Sequence, residues 1–386
     1  MKRVLFSLLL IVSGLVTSAC GHEAAPTSAP TPTVPASSGD KTTAPPAEPA
    51  SPPVLPNLLI QAEGGVWLRR SGWIDFLPAG FGVAVEPGDL LRVAEGGTAA
   101  VFCGNESLWQ EGPSSLSADG LEHGVPCQAG RPPRPWSDVA ALRGEENSLL
   151  PYILCPRNTA LLNDRPSLGW HPLPGVDAYT VTLLGDDGQD RAPVQATGGE
   201  LDWPAEWPPL ESRATYVLVV EGDGRRSDES SAGHAGVGFW LLPAEEAEAV
   251  QALEARLRAQ SLSSTAADML VAELYLGHGL RAEAAQLLED LTAGDGAAAV
   301  WLALGRVHLE TGLATEATEA FGQALAEAQA AGELEAQAAA QVGLGLAARL
   351  LNDKDVAEEH LQVARALYEQ IGHRDGLDQV DQLLAE

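Results

Sequence analysis

The chain contains few basic residues. Among its 386 residues, 23 are Lys or Arg and 53 are Asp or Glu, so the formal net charge is −30 at pH 7. Proteins that bind nucleic acid or anionic lipid headgroups need a basic face to do so. The shortage of positive charge therefore argues against nucleic acid as a partner and against broad adhesion to an anionic membrane surface. An acidic surface is typical of a soluble exported protein.

Short motifs of common catalytic sites are also missing. No GxSxG or Walker A sequence occurs, and these mark an esterase-type nucleophile and a phosphate-binding loop. Residues 343–348 read GLGLAA, but no strand precedes them, so they do not predict a dinucleotide site. His360 has no second histidine at helical spacing, and no CxxC pair is present, so we expect no metal site. We expect a protein that is not an enzyme and needs no cofactor.

Long hydrophobic runs are absent except at the N-terminus. A basic pair at residues 2–3 precedes an apolar run over 4–16, which ends in the small residues of 17–20, TSAC. This layout predicts a secretory signal over 1–19, because the run is too short to span a bilayer comfortably. The site resembles the lipobox of bacterial lipoproteins. That resemblance implies cleavage before Cys20, a lipid on Cys20, and an extracytoplasmic protein anchored to a bacterial membrane, at the cell surface or in the periplasm.

Cysteine is scarce, with four residues in the whole chain. If Cys20 carries lipid, then Cys103, Cys127 and Cys155 remain, and an exported protein keeps its disulfides. Three thiols make at most one bridge within the chain, and the sequence alone cannot choose the pair. We favour Cys103 with Cys127, because both lie in one predicted domain, and we expect Cys155 to be free.

After the signal, residues 20–56 are rich in Pro, Ala, Thr and Ser, which predicts a disordered linker that acts as a stalk. Short apolar runs separated by turn residues follow, and they predict strands. These runs cover 58–60, 66–68, 74–76, 82–93 and 99–103. Their order resembles the FecR-like β domain, here over 57–130, with a Pro/Arg-rich connector over 131–149. In that family the signal relay uses a transmembrane helix, which this chain lacks, so only the β fold is implied.

Residues 150–243 predict a second β domain. Trp170, a strand with Tyr179, and Leu210 six residues before Tyr216 resemble the fibronectin type III sandwich and its tyrosine corner. The resemblance implies that these three aromatic residues fill the core. Trp203 and Trp207 flank prolines, and an exposed sugar-stacking pair at these positions is an open alternative.

From residue 244 to 386 the composition becomes helical. One stretch matches the spacing of the tetratricopeptide (TPR) repeat, in which small residues let two antiparallel helices approach. The matching residues are Trp301, Leu304, Gly305, Gly312, Ala317, Phe321 and Ala324, with His308 where the family has tyrosine. The pattern recurs about 33 positions upstream, and about 40 downstream with Asn352 at the turn. The recurring residues are Tyr275, Gly279 and Ala284 upstream, and Leu344, Gly345, Ala357, Leu361 and Ala364 downstream.

The TPR resemblance implies a leading helix over 244–260, a capping helix over 371–386, and a concave groove. We expect Phe321 to be buried between the two helices of its repeat and the next repeat, in a small-residue gap at Ala317 and Ala324. Since the region from residue 244 holds 25 acidic and 8 basic residues, a cationic or mixed-charge peptide is the expected ligand.

The sequence thus predicts a multidomain α+β chain, in which two small all-β domains precede an all-α helical array of TPR type. The expected function is a membrane-anchored, non-catalytic interaction scaffold, whose groove binds another envelope protein or peptide. Two alternatives remain. In one, the β domains bind a carbohydrate or an envelope polymer; in the other, the protein senses a signal as FecR-like proteins do.

Overall fold

A computed structural model describes residues 55–111, 122–125, 127–128, 130–132, 134–136, 149–189, 191–229, 237–294 and 296–385. The signal, Cys20 and nearly all of the linker over 20–56 lie outside these residues. Within them, sixteen strands form a β-rich N-terminal region that precedes eight helices. The expected α+β chain with strands before helices is confirmed at this level.

The first β unit has two small sheets. Its strands are β1 (Leu58–Glu63), β2 (Val66–Arg69), β3 (Leu77–Pro78), β4 (Leu90–Val93), β5 (Thr98–Phe102), β6 (Leu108–Glu111) and β7 (Glu122–Gly124). The sheet orders are β1-β5-β6 and β3-β2-β4-β7, with all pairs antiparallel. The strand predicted over 74–76 is wrong. That stretch is a bend in which Ile74 is 71% exposed, and β3 follows it.

A disulfide joins Cys103, just after β5, to Cys127, just after β7, with an S–S distance of 1.99 Å. It therefore ties together the two sheets of the first β unit. The expectation of a free Cys155 is wrong, because Cys155 is disulfide-bonded as well. Cys155 ends an edge strand and is 8% exposed.

The second β unit pairs a three-stranded sheet with a six-stranded one. Its strands are β8 (Tyr152–Cys155), β9 (Thr159–Leu161), β10 (Leu168–His171), β11 (Ala178–Gly185), β12 (Val194–Thr197), β13 (Glu200–Leu201), β14 (Thr215–Gly222), β15 (Arg225–Arg226) and β16 (Phe239–Leu241). The orders are β13-β10-β8 and β12-β11-β14-β16-β9, with β15 beside β14. Alternate residues of β11 and β14 are buried because successive side chains of a strand point to opposite faces.

Aromatic residues fill the core of the second β unit, as predicted. Trp170, Tyr179 and Tyr216 are at most 1% exposed. The Tyr216 hydroxyl accepts a hydrogen bond from the Glu211 backbone N–H at 2.8 Å, which is the upstream bond that a tyrosine corner makes. Trp207 is only 2% exposed and its indole N–H donates to a backbone carbonyl, so Trp203 and Trp207 do not form an exposed stacking pair.

The helical array follows in three helix hairpins with one helix before and one after. Its helices are α1 (Ala244–Arg258), α2 (Ser264–Gly277), α3 (Arg281–Thr292), α4 (Ala298–Thr311), α5 (Ala314–Ala331), α6 (Leu334–Leu350), α7 (Lys354–Ile371) and α8 (Arg374–Ala385). Gly312 ends α4 with φ at 77°, a left-handed conformation that glycine adopts without strain. Asn352 is also left-handed, with φ at 61°, at the turn where the repeat spacing places it.

Phe321 is fully buried between the two helices of its hairpin and the next helix, as expected, but the small residues that face its ring are different. Ala317 and Ala324 lie on its own helix, α5, so they cannot form the opposite wall. Gly305 of α4 and Gly343 of α6 form it instead, because a Cβ at either position would come within 2.8 Å of the Phe321 ring. The ring therefore wedges three helices together.

The β units share hydrophobic cores with the helices. Leu55 and Phe102 of the first unit pack in one cluster with residues of α1 to α4, and Trp73 packs in another with residues of α4 to α8. The packed structure therefore includes Leu55, which was expected to lie in the linker. In the second unit, Asn158 donates to the Glu310 carbonyl of α4 at 2.8 Å. The β units are therefore part of one packed body with the array.

Candidate functional site

A cleft of about 850 Å³ lies between the first β unit and the helical array. Helices α2, α4, α6 and α8, which are alternate helices of the array, supply one wall. The first β unit supplies the other wall. The described residues 130–132 and 134–136, which we call the Arg-Pro segment, also line it. The chain itself therefore covers part of this face of the array.

Arg70 is the central charge on the β side of the cleft. It follows β2, which is antiparallel to β4, so the loop before β4 brings Asp89 beside it. Arg70 Nη1 donates to Asp89 Oδ2 at 2.9 Å, and Arg70 Nε donates to Glu335 Oε1 of α6 at 2.8 Å. Arg70 Nη2 also reaches Glu335 Oε2 at 3.1 Å, which makes the pair bidentate. One guanidinium thus joins the first β unit to the array.

The charges around Glu335 determine its protonation. Burial alone would raise the pKa of Glu335, but the charge of Arg70 and hydrogen bonds from His373 and Arg70 outweigh it and hold that pKa at about 2. Burial raises the pKa of Asp89, against the opposing pull of Arg70. The pair of Arg70 and Glu335 is therefore ionised across the physiological range.

The Arg-Pro segment is held by the C-terminal end of α2. Arg131 Nη2 donates to Glu273 Oε2 at 2.5 Å and to the Glu273 carbonyl at 3.0 Å. Arg134 Nη2 donates to the Leu276 carbonyl at 3.0 Å, and its Nη1 lies 3.4 Å from the Glu310 carboxylate. The last carbonyls of a helix have no partner within it and carry partial negative charge. At this end of α2 the Leu276 carbonyl accepts from Arg134 and also from the Gly279 backbone N–H at 3.2 Å.

Trp136 ends the described part of the segment and is 7% exposed. Its ring packs edge-on against Phe321, with centroids 6.0 Å apart. The guanidinium of Arg306 lies 4.1 Å above the same ring, and Arg306 Nη1 donates to the Arg134 carbonyl at 2.8 Å. Gln379 of α8 accepts from the Trp136 backbone N–H at 3.0 Å. The indole is therefore enclosed by apolar, aromatic and cationic groups of the array.

Glu333 is a buried carboxyl at the cleft, 9% exposed. It precedes α6 and lies against the backbone of the first β unit at Gly80. Burial, and then the negative charge of Glu335, raises the pKa of Glu333 to about 7. Near neutral pH this carboxyl group can donate its O–H in a hydrogen bond or, when ionised, accept a hydrogen bond from a cationic group.

Stability is expected to depend on pH through Glu333. The folded protein holds this proton more tightly than the unfolded chain, whose pKa is near 4.5. The contribution of this proton to the free energy of unfolding is therefore complete below about pH 4.5 and is lost as the pH rises through about 7. Glu333→Gln should remove this loss. The free energy of unfolding of the variant, relative to that of the wild type, should therefore rise by about 2 kcal/mol between pH 5 and pH 8. Urea unfolding at both pH values measures it.

The exposed Glu327 of α5 provides the control for this prediction. Glu327→Gln removes the same charge without burial, so its stability should follow the wild type between the two pH values. Equal pH dependence of the Glu333→Gln variant and the wild type would contradict the assignment.

The cleft is built for binding by paired charges and aromatic rings. Arg70, Arg131 and Arg134 each contact a carboxylate, and Arg306 contacts a carbonyl and a ring. No cluster of His, Cys, Asp and Glu within the described residues could hold a metal ion. What the arrangement offers is recognition of an extended, cationic, aromatic segment.

The predicted signature residues lie between helices and outside the cleft lining. Gly305 meets Phe321, and Gly345 lies against Leu361. Most of the others are buried in helices or form turns: Tyr275, Ala284, Leu304, Ala317, Ala324, Leu344, Ala357 and Ala364 are at most 8% exposed, and Gly279 and Gly312 have positive φ. Trp301 is half-buried beside Gly296.

Sequence reasoning missed the residues that line the cleft. Arg131, Arg134 and Trp136 fell in the stretch predicted as a connector. Arg70 and Arg306 belonged to no motif. The one available signal was the run of arginine, proline and tryptophan over 131–136, which is unusual in a chain with so few basic residues.

No protein-family model matches the chain, and no curated protein matches it. A crystal structure of Salmonella alpha-2-macroglobulin reacted with methylamine aligns with 81% of this chain at 10% identity and a TM-score of 0.17. The chain spans 28% of the length of that protein. A similarity at this level carries no argument about fold or function.

Proposed function

We propose that this protein is an extracytoplasmic, lipid-anchored scaffold without catalytic activity, which binds a cationic segment of another envelope protein at the cleft. The observation that carries the proposal is the Arg-Pro segment itself. Two backbone carbonyls of α2 and one carboxylate from each of α2 and α4 hold its two arginines, and the array encloses its tryptophan. A face that binds one such segment has the chemistry to bind another.

The proposal treats the array as TPR-type repeats and the two β units as FecR-like and fibronectin type III-like domains. The wedge of Phe321 against Gly305 supports the first assignment, because small residues at a helix pair are what the repeat spacing implies. The hydroxyl bond of Tyr216 supports the third. Carbohydrate binding by the β units would need an exposed aromatic pair, and the burial of Trp207 leaves none at the predicted position.

The anchor in this proposal is a lipid on Cys20, so in the lipidated protein the disulfide of Cys155 must be made to a thiol other than that of Cys20. None of the helices in the described part of the chain combines the length and the hydropathy that a bilayer crossing needs. The expected result of Cys20→Ser is release of the protein from the membrane pellet into the soluble fraction, because two or more acyl chains are needed for stable attachment.

Two outcomes would contradict the lipid anchor. One is a Cys20→Ser variant that still pellets with membranes after a high-salt wash. The other is a peptide map in which Cys20 and Cys155 form a disulfide, because one sulfur cannot carry both a lipid thioether and a disulfide.

Site-specific photo-crosslinking in intact envelopes tests the binding function. A crosslinking amino acid at Ala336, which lines the cleft on α6, should yield a discrete adduct with a partner protein. The same amino acid at Ala326, exposed on the other side of the hairpin on α5, should not. High salt should weaken the adduct, because the recognition is charged. Identical adducts at both positions, or none at Ala336, would remove the proposal.

A further inference from the structure

The Arg-Pro segment makes more contacts than a connector needs. It runs from α2, where Arg131 and Arg134 bind, to α8, where Gln379 binds the backbone of Trp136. Its arginines are three residues apart, and the tryptophan follows two residues after the second. Separate parts of the array bind three kinds of group in the segment. These are its two arginine side chains, one backbone carbonyl and the tryptophan ring.

The prolines explain why such a segment suits this face. Pro132 and Pro135 have no backbone N–H and favour extended backbone. The segment therefore cannot satisfy its own carbonyls by forming a helix, and the Arg134 carbonyl accepts from Arg306 instead. An extended proline-rich peptide also loses little conformational entropy on binding. The array thus supplies the donors that the segment's backbone lacks.

The local charge favours the same kind of ligand. Glu273 and Glu310 face the two arginines, in a region with 25 acidic and 8 basic residues. Arg306 belongs to the array and its guanidinium lies on the indole of Trp136. A ligand with arginines and an aromatic ring pairs with each of these groups, whereas the two carboxylates would repel an acidic ligand.

We propose that the array recognises the pattern Arg-x-x-Arg-Pro-Trp, and that the Arg-Pro segment is a built-in copy of the ligand that a partner's segment of the same chemistry displaces. This deepens the proposed function by naming the class of partner segment. The tether gives the built-in copy an effective concentration in the millimolar range, so it competes strongly with a free peptide. Binding of the partner is therefore weak until the segment leaves.

A peptide of sequence GRPPRPW tests this inference on the purified full chain. The triple variant Arg131→Ala, Arg134→Ala, Trp136→Ala empties the face. By fluorescence anisotropy it should bind the labelled peptide at least tenfold more tightly than the wild type, because the tethered competitor is gone. Adding Glu273→Gln to the triple variant should weaken binding about tenfold, since it removes the partner of one arginine. A shuffled peptide of the same composition is the control.

Thermal stability gives a second readout. A ligand that binds the folded state raises its melting temperature, so the peptide should raise that of the triple variant by several degrees and leave the wild type almost unchanged. If the triple variant does not fold, the single variant Arg134→Ala replaces it, because that side chain is 40% exposed. The single variant should bind the peptide about threefold more tightly than the wild type.

Three results would overturn the inference. A folded variant that binds the peptide no better than the wild type would show that the segment has only a structural role. Equal binding of the shuffled peptide would reduce the recognition to charge alone. A wild-type dimer that the peptide dissociates would assign the segment to a second copy of this chain. If crosslinking at Ala336 still identifies a partner in any of these cases, the proposed function stands without this motif.

Discussion

Replacing Phe321 with alanine is expected to lower the free energy of unfolding of the full chain by about 3–5 kcal/mol. The ring is fully buried and fills the space between Gly305 and Gly343, so its removal leaves a cavity where three helices meet. Helical repeats are stabilised mainly by their neighbours, and the loss should therefore spread along the array. The melting temperature of the helical circular-dichroism signal should fall by roughly 10 °C.

The control for Phe321 lies on the same helix. Glu327 is exposed on α5, so Glu327→Ala should change the melting temperature little. A coupled test uses Gly343, because a methyl group there would come within 2.5 Å of the Phe321 ring. Gly343→Ala should destabilise the wild type but should cost much less in the Phe321→Ala background, where the cavity receives the methyl group. Equal, small effects of Phe321→Ala and Glu327→Ala would show that the helix packing differs from the one described.

Replacing Arg70 with methionine is expected to destabilise the protein by about 3–5 kcal/mol at pH 7, because it leaves two mostly buried carboxylates without their cation. Asp89 and Glu335 side chains are 3% and 26% exposed. The variant also removes the ion pair that joins the first β unit to α6. Urea unfolding of the full chain measures the loss, and increased protease sensitivity of the first β unit should accompany it.

The pH dependence identifies the cause of this loss. With its pKa lowered to about 2 from the usual 4.5, Glu335 stabilises the wild type above about pH 4.5, and that contribution is lost as the pH falls towards 2. The difference between the wild type and Arg70→Met should therefore be largest above pH 5 and shrink by about half at pH 3. Arg165 is exposed, so Arg165→Met removes one positive charge without this effect. A loss that does not change with pH would mean that packing, not the ion pair, holds the interface.

The turns of the helical array were accessible from the sequence because they depend on local chemistry. Gly312 and Asn352 stand at turns that need a left-handed backbone, and small residues recur where helices must approach. The aromatic core of the second β unit was accessible for the same reason, since alternation along β11 and β14 sets which face is buried. In both cases neighbours in sequence decide the outcome.

The gap around Phe321 shows where this local reasoning stops. Its own helix supplied the alanines that the spacing highlighted, whereas Gly343, one hairpin further on, closes the space. No pattern within α5 specifies how closely α6 will approach the Phe321 ring. The glycines matter only once three helices have packed.

The cleft was decided by tertiary structure alone. Arg70 and Glu335 are 265 residues apart in the chain, and Trp136 and Gln379 are 243 apart. An arginine at the end of a strand carries no sign of the carboxylate that it will meet, because long-range pairing depends on how β units and helices pack. By itself, the sequence determined the order of strands and helices, the turns and the buried faces. Packing the first β unit and the Arg-Pro segment onto the array brought the binding groups together, since burial between elements, and not spacing within one, selects those partners.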